Sequence, residues 1–283
     1  MSATGIGGNG AAGTSRLRRF GANVAAAFAA AVRTPRTDAH RPAWPAFARL
    51  AIGAAIAILV LAATMMMLDP WSIARVRGLP PSLISVFDDI TDLGLSGWFL
   101  WPIGLLLVAI AVLDTRIMPR LVHGVLASLA VRLGFVFAAI AVPGLFVAVI
   151  KRLIGRARPF VTGDDTWAYQ LWVWRSDHAS LPSGHATTAF AAAVAIGAIW
   201  PRARMVMWIY AGVIAMSRIV VVAHHPSDVI AGAIVGTIGA LLVRNWFATR
   251  RLGFAVMSDG SVQALPGPSW RRIKAVARKL LSA

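Results

Sequence analysis

Apolar residues in this chain fall into six long runs separated by short polar stretches. The runs are Phe47–Leu68, Gly97–Leu113, Leu133–Ile150, Thr187–Trp200, Met205–Val222 and Val229–Phe247. A helix needs roughly 20 apolar residues, with a range of about 17–25, to cross the hydrocarbon core of a bilayer. The pattern predicts an all-α, polytopic membrane protein with six transmembrane helices. The fourth run is short, so its helix is predicted to start inside the polar tetrapeptide Pro182–Ser183–Gly184–His185.

The stretches between the runs have their own character. Residues 1–46 are rich in Gly, Ala and Arg and poor in acids, which predicts a largely disordered lead with an interfacial helix near Ala22–Val32. A signal peptide is the competing reading of Arg16–Arg19 and the alanines that follow, but a much stronger span comes later. Residues 69–96 form a connector broken by Pro70, Pro80 and Pro81, with a short amphipathic helix around Ser82–Leu93. Residues 160–181 carry Phe160, Trp167, Tyr169, Trp172 and Trp174, side chains that favour the membrane–water boundary. His224–Pro226 is a tight turn. The predicted organisation is a lead over 1–46, a membrane domain over 47–247 with its core at 97–247, and a basic tail over 248–283. In that tail Trp270, Ile273, Val276, Ala277 and Leu280 alternate with cations as in an amphipathic helix on an anionic inner leaflet.

Composition agrees with this pattern. Hydrophobic residues make up 58% of the chain and charged residues 14%, against about 45–50% and about 25% in soluble domains. A net charge of +17 would suit a nucleic-acid binder, but its distribution argues for a membrane instead. Arg16, Arg18, Arg19, Arg33, Arg36, Arg41 and Arg49 lead into the first run. Arg244, Arg250, Arg251, Arg271, Arg272, Lys274, Arg278 and Lys279 stand at or beyond the end of the last. Arg116 and Arg120 fill one connector, Arg202 and Arg204 another. Under the positive-inside rule all of these are cytoplasmic. Six spans then put both termini inside and turn the remaining three connectors outward, as in a bacterial inner membrane. With no cysteine, thiol catalysis and Cys-ligated metals are excluded.

Three polar motifs fall at the helix ends that this topology turns outward. Lys151 and Arg158 are seven residues apart, about two helical turns, which predicts that both project from one face. Lys151 is the only lysine before residue 274, and a compact ammonium suits a point charge on phosphate. Nearby Arg152 and Arg156 read as ordinary snorkelling cations. In the second motif Ser183 can cap a helix and Gly184 lets a ligand approach the backbone. The free N–H groups of a helix start suit an anion, and His185 stands beside them. In the third, Ser217–Arg218 precede His224 and Asp228. An aspartate four residues after a histidine can accept its Nδ1–H and leave Nε2 as a nucleophile. His225 competes for that role, and the four-residue offset favours His224. Ionisable residues at membrane-helix ends are functional by default.

Read together, K-x6-R-P, P-S-G-H and S-R-x5-H-x3-D resemble the signatures of the type-2 phosphatidic acid phosphatase family, lipid phosphate phosphatases related to vanadium-dependent haloperoxidases. The resemblance covers residues 97–247. It implies that His224 is a nucleophile forming a phosphohistidine, that Asp228 orients it, and that His185 protonates the leaving group and then activates water. It implies phosphate binding by Lys151, Arg158, Arg218, Ser183 and Gly184, with no metal and no other cofactor. Ser217 belongs to the signature without an assigned role. The implied partners are the bilayer and a phosphorylated membrane lipid, such as phosphatidic acid, phosphatidylglycerol phosphate, undecaprenyl pyrophosphate or lipid A. Alternatives on the same scaffold are vanadate-dependent halide oxidation and transfer of the phosphoryl group to a second lipid. A D-D-x-x-D pattern at Asp88, Asp89 and Asp92 could instead hold magnesium for prenyl transfer, although a solvated helix face accounts for it. A non-catalytic lipid binder or transporter is the last alternative, and few charges other than Arg132 lie within the inner spans to support it.

Overall fold

The computed structural model describes residues 8–35, 44–113, 118–163 and 165–282. Arg36, Arg41 and Arg116, counted above toward the inner charge, lie outside the described residues, as does the side chain of Arg16. Helices dominate. In chain order they are α1 (Gly8–Val32), α2 (Trp44–Ala63), α3 (Asp69–Val76), α4 (Pro81–Asp92), α5 (Gly97–Val112), α6 (Arg120–Ile154), α7 (Pro159–Thr162), α8 (Gly184–Ile199), α9 (Arg204–Val220), α10 (Pro226–Thr249) and α11 (Trp270–Leu281). A π-helical turn, Thr64–Leu68, joins α2 to α3. The all-α expectation needs one addition, a hairpin of β1 (Phe254–Val256) and β2 (Val262–Ala264) paired antiparallel. Gly260 takes φ +79 in its turn, a conformation that glycine alone adopts freely.

Five helical segments among the described residues are long and apolar enough to cross a membrane: 48–76, 81–112, 120–154, 201–220 and 226–249. The expected sixth span is α8, whose 16 residues reach only about 24 Å at 1.5 Å per residue. Its short length is matched by its surroundings. Ala186, Ala189, Ala191, Ala192, Ala193 and Ala195 are all fully buried, so α8 faces protein rather than lipid. By contrast α2 and α5 present Leu50, Ile58, Leu59, Trp101 and Leu105 outward, as a lipid-facing surface requires.

The chain divides into two compact units. One comprises residues 39–100 and 136–244 and holds all three polar motifs. Within it α8 packs chiefly on α9, where Ala189, Ala193, Ala211 and Ile214 form a core bordered by Ile90, Phe190, Met207 and Tyr210. Gly232 and Gly236 let α10 approach α8 to backbone contact. A Cβ at Gly232 would lie 2.4 Å from the Ser183 carbonyl oxygen, and one at Gly236 would lie 2.3 Å from that of Thr187. Such small-residue seams are how membrane helices pack closely. The connector 69–96, read from sequence as one short helix among prolines, folds into α3 and α4, with Pro70 and Pro81 each in a first turn.

The other unit comprises residues 1–38, 101–135 and 245–283. Its helix α1 runs over Gly8–Val32, well beyond the short interfacial helix expected in a disordered lead. Arg132, the charge within the inner spans, donates to the carbonyl and hydroxyl oxygens of Ser128 and, at 2.8 Å, to the Leu265 carbonyl, tying α6 to the tail. Part of the apolar face of α11 packs on protein, while Trp270 and Ala277 stay exposed. Val276 is buried with Val122, Val125 and Leu126, and Ile273 and Leu280 border the same cluster. Arg271, Lys274, Arg278 and Lys279 remain exposed.

Candidate active site

The phosphate-binding pair of the first motif is built differently from the helical spacing. Lys151 lies in the last turn of α6, but the helix stops at Ile154. Gly155 takes φ +62, and a Cβ there would fall 1.6 Å from the Gln170 carbonyl oxygen, so the stop requires glycine. Beyond it the chain is extended, and Arg158 precedes α7 with φ −81 and ψ 153. The two cations therefore do not share a helix face. They meet because the loop is pinned back by backbone bonds from Ala157 N to Ala168 O (2.9 Å), Arg158 N to Asp177 O (2.8 Å) and Ser180 N to Arg156 O (3.0 Å).

At the second motif Ser183 stands at the N-cap of α8, yet its hydroxyl makes no capping bond. Ser183 N instead donates to the Asp228 carbonyl at 2.9 Å, which ties the second motif to the third. The Ser183 hydroxyl, Arg158 Nε and Arg218 Nε are all buried without a protein partner. Lys151 Nζ lies 3.8 Å from the position of a Cβ on Gly184. These donors, with the free N–H groups of the α8 start, suit a tetrahedral oxyanion. His185 is within electrostatic range of Arg218, His224, Lys151 and Arg158, and its Cδ2 would lie 3.0 Å from a Cβ on Gly94.

The third motif is the most deeply buried. Arg218 Nη1 donates to Thr91 Oγ1 at 2.6 Å, and Ser217 Oγ donates to the same oxygen at 3.0 Å. Thr91 lies inside the D-D-x-x-D stretch on α4, so that stretch borders the cationic site, and Asp88 and Asp92 are near enough to act on Arg218. Among the described residues no cluster of three or more His or Asp side chains is arranged to hold a metal ion. His224 and His225 leave α9 through a turn in which Val222 takes φ 55 and His224 N bonds to the Arg218 carbonyl.

Asp228 is shared between both histidines. Its Oδ2 is 3.2 Å from His225 Nδ1 and 3.7 Å from His224 Nδ1. It also accepts from His225 N at 2.9 Å and from Ser180 Oγ at 2.5 Å. Ser180 Oγ is itself 3.4 Å from His224 Nδ1, so the serine stands between ring and carboxylate. The expected direct bond from His224 to Asp228 is thus a long contact, and proximity to Asp228 alone favours His225. The surroundings distinguish the two rings. Arg158, Arg218 and His185 act on His224, whereas His225 Nε2 is buried without a partner. Burial pushes the His224 ring down to about 4 against the pull of Asp228, so it is neutral at ordinary pH.

Four participants escaped the sequence reading. Arg156, taken there for a snorkelling cation, is almost wholly buried between two carboxylates. Its Nη1 meets Asp228 Oδ1 at 2.7 Å and its Nη2 meets Asp69 Oδ2 at 2.8 Å. Burial opposes the Arg156 charge, but Asp228 and Asp69 outweigh it and raise the pKa above the ordinary value. Asp69, Ser180 and Ser227 complete the network, and no local pattern pairs residues 87 positions apart, as Asp69 and Arg156 are. Of the two expected snorkelling residues only Arg152 behaves so, donating to the Trp174 carbonyl at 2.6 Å from a half-buried position.

Residues 132–252, the segment carrying all three motifs, match the PAP2 superfamily. Two similar curated proteins are the lipid A 1-phosphatases of Rhizobium johnstonii and Rhizobium etli. The first is 37% identical over 127 residues, 44% of this chain and 52% of that protein. The second is 37% identical over 131 residues, 44% of this chain and 55% of that protein. The chain thus spans about half the length of the curated relatives it matches. Among solved structures, Aquifex aeolicus LpxE aligns with a TM-score of 0.43 at 21% identity, over 60% of this chain and 91% of that one. The PAP2-type phosphatidylglycerolphosphate phosphatase of Bacillus subtilis aligns with a TM-score of 0.46 at 19% identity, over 68% and 94%. The three motifs gathered in one buried cationic site therefore all lie inside the segment that matches the PAP2 superfamily, the type-2 phosphatidic acid phosphatases.

Proposed function

We propose that this chain is an integral-membrane lipid phosphate phosphatase working through a phosphohistidine on His224. The observation that carries the reading is the set of buried, unpartnered donors (Ser183 Oγ, Arg158 Nε, Arg218 Nε) around two histidines in one compact unit. Phosphoryl transfer asks mainly for positioning and charge neutralisation. Lys151, Arg158 and Arg218 neutralise the phosphoryl oxygens, and Ser183 with the Gly184 N–H group orients them. Bound as its monoanion, the substrate gives its phosphate proton to His185; His224 Nε2 attacks phosphorus as the bond to the lipid oxygen breaks, and His185 passes that proton to the departing oxygen. His185 then accepts a proton from water, the water oxygen bonds to phosphorus, and the P–N bond breaks to release inorganic phosphate and free His224. Three cations take the part that magnesium plays in other phosphoryl-transfer sites, so the reaction proceeds in chelator.

The charge pattern supports six spans with α8 as the fourth, both termini in the cytoplasm, and the site at the outer face of a bacterial inner membrane. The lipid-facing surfaces of α2 and α5 and the aromatic connector support a lipid substrate. The 1-phosphate of lipid A ranks first among the candidates, because both curated relatives carry that activity in their names. Detergent-purified protein should release phosphate from at least one of lipid A, phosphatidic acid, phosphatidylglycerol phosphate and undecaprenyl pyrophosphate in excess chelator. Abolition by chelator, or full turnover in His224→Ala, would overturn the mechanism.

A further inference from the structure

Arg156 and Asp69 take no part in the reaction proposed for the site, yet they form a buried, densely bonded polar cluster in the unit. Both side chains are buried. Arg156 Nη1 donates to Asp228 Oδ1 and to Ser227 Oγ, each at 2.7 Å, and Nη2 donates to Asp69 Oδ2 and the Thr166 carbonyl, each at 2.8 Å. Asp69 Oδ1 accepts from Ser227 N at 3.0 Å, and Oδ2 from Ser227 Oγ at 2.6 Å. Ser72 Oγ, in turn, donates to the Asp69 carbonyl at 3.0 Å. The cluster links the start of α3, the loop after α6 and the start of α10. Arg156 occupies one oxygen of Asp228 and leaves Oδ2 for Ser180 and the two histidines.

The charge count gives this arrangement a consequence. Arg156 alone would cancel Asp228, and a cancelled carboxylate holds an imidazole weakly. With Asp69 on its far side, the buried set carries one net negative charge. A buried ion triad is weak evidence for stability, since its desolvation cost offsets its attractions, so a functional reason for keeping it is worth testing. We propose that Asp69 and Arg156 are positioning residues for the phosphatase reaction: Arg156 fixes the Asp228 carboxylate, and Asp69 balances Arg156 so that Asp228 keeps its full charge toward His224. The assignment rests on the phosphatase reading.

The test uses full-length protein in detergent. The groups facing the cluster are Asp69 from α3, Tyr169 from the aromatic connector, Asp228 from α10, the His224–His225 turn, and Lys151 and Arg158 toward Asp228, with Arg158, Arg218 and His185 facing His224. Asp69→Asn keeps the shape and removes the charge. It should lower kcat by about 10-fold with KM unchanged, the lower end of what supporting partners of a reacting group are worth, since Asp69 reaches His224 only through Arg156 and Asp228. It should also move the acid limb of the kcat/KM profile to lower pH, because the uncompensated Arg156 charge makes a protonated His224 less favourable. In Asp69→Asn/Arg156→Gln the net charge beside His224 returns, and kcat should recover part of the loss. Wild-type kcat in Asp69→Asn, or a loss that follows only the folded fraction with an unmoved pH profile, would overturn the assignment while leaving the phosphatase reading intact. If Arg156→Gln fails to fold, the pH profile of the single variant decides. No phosphate release by the wild-type chain would end the phosphatase reading, and the positioning role with it.

Discussion

At His224 two effects oppose each other, and burial outweighs the attraction of Asp228, leaving the ring's pKa at about 4. A nucleophilic imidazole must be neutral, so activity depends on the lower of the two protonation states. The acid limb of kcat/KM should therefore lie near pH 4, with activity kept through pH values of about 5–6 where an ordinary histidine is mostly charged. A limb near pH 6.5 would contradict the burial argument. The same depression bears on stability. The unfolded ring binds a proton near its ordinary value and the folded ring does not until about 4. His224 therefore withdraws stability progressively as pH falls through that interval, and none above it. Ser183→Ala is a milder change. It removes one buried unpartnered hydroxyl, and a neutral donor made stronger in the transition state is worth about 10-fold or more in kcat. Steady-state assays of phosphate release would show it.

Among the elements, the end of α6 and the seam between α8 and α10 decide whether the site assembles. Gly155→Ala forces a side chain onto φ +62 with its Cβ 1.6 Å from a backbone oxygen. The left-handed conformation alone costs on the order of 1–3 kcal/mol, and the clash adds to it. Thermal unfolding in detergent should fall, and the variant should lose phosphate release because Arg158 is displaced. Gly232→Ala presses on the Ser183 carbonyl at 2.4 Å and should cost about 1–3 kcal/mol by overpacking. Unchanged stability in both would mean that these helices do not pack so closely. The elements also mark what sequence could reveal. The apolar runs anticipated the long helices, and the three motifs indicated the residues that converge, because short spacing encodes local placement. The shared face expected of Lys151 and Arg158 failed because a single glycine ends the helix between them. Ser180, Asp69 and Arg156 were illegible for a different reason. Their partners lie on other elements, and only tertiary packing brings Asp69 to Arg156 or Ser180 to Asp228.

For the whole molecule, charge asymmetry supports a topology that can be tested simply, since the chain contains no cysteine. Trp172 and Ser282 are both exposed. A cysteine introduced at Trp172→Cys should react with an impermeant maleimide added to intact spheroplasts, and one at Ser282→Cys should react only after lysis. The reverse pattern would turn the site toward the cytoplasm. Covalent catalysis at a single ring is the claim that gives the rest its meaning, and trapping the phosphoenzyme tests it most directly. Wild-type protein would be mixed with lipid substrate carrying radioactive phosphate, quenched in base within one turnover, and digested for mapping. The label should be acid-labile and base-stable, reside on His224, and be absent from His224→Ala. Turnover without any bound label, or label on His225 or His185, would contradict the account.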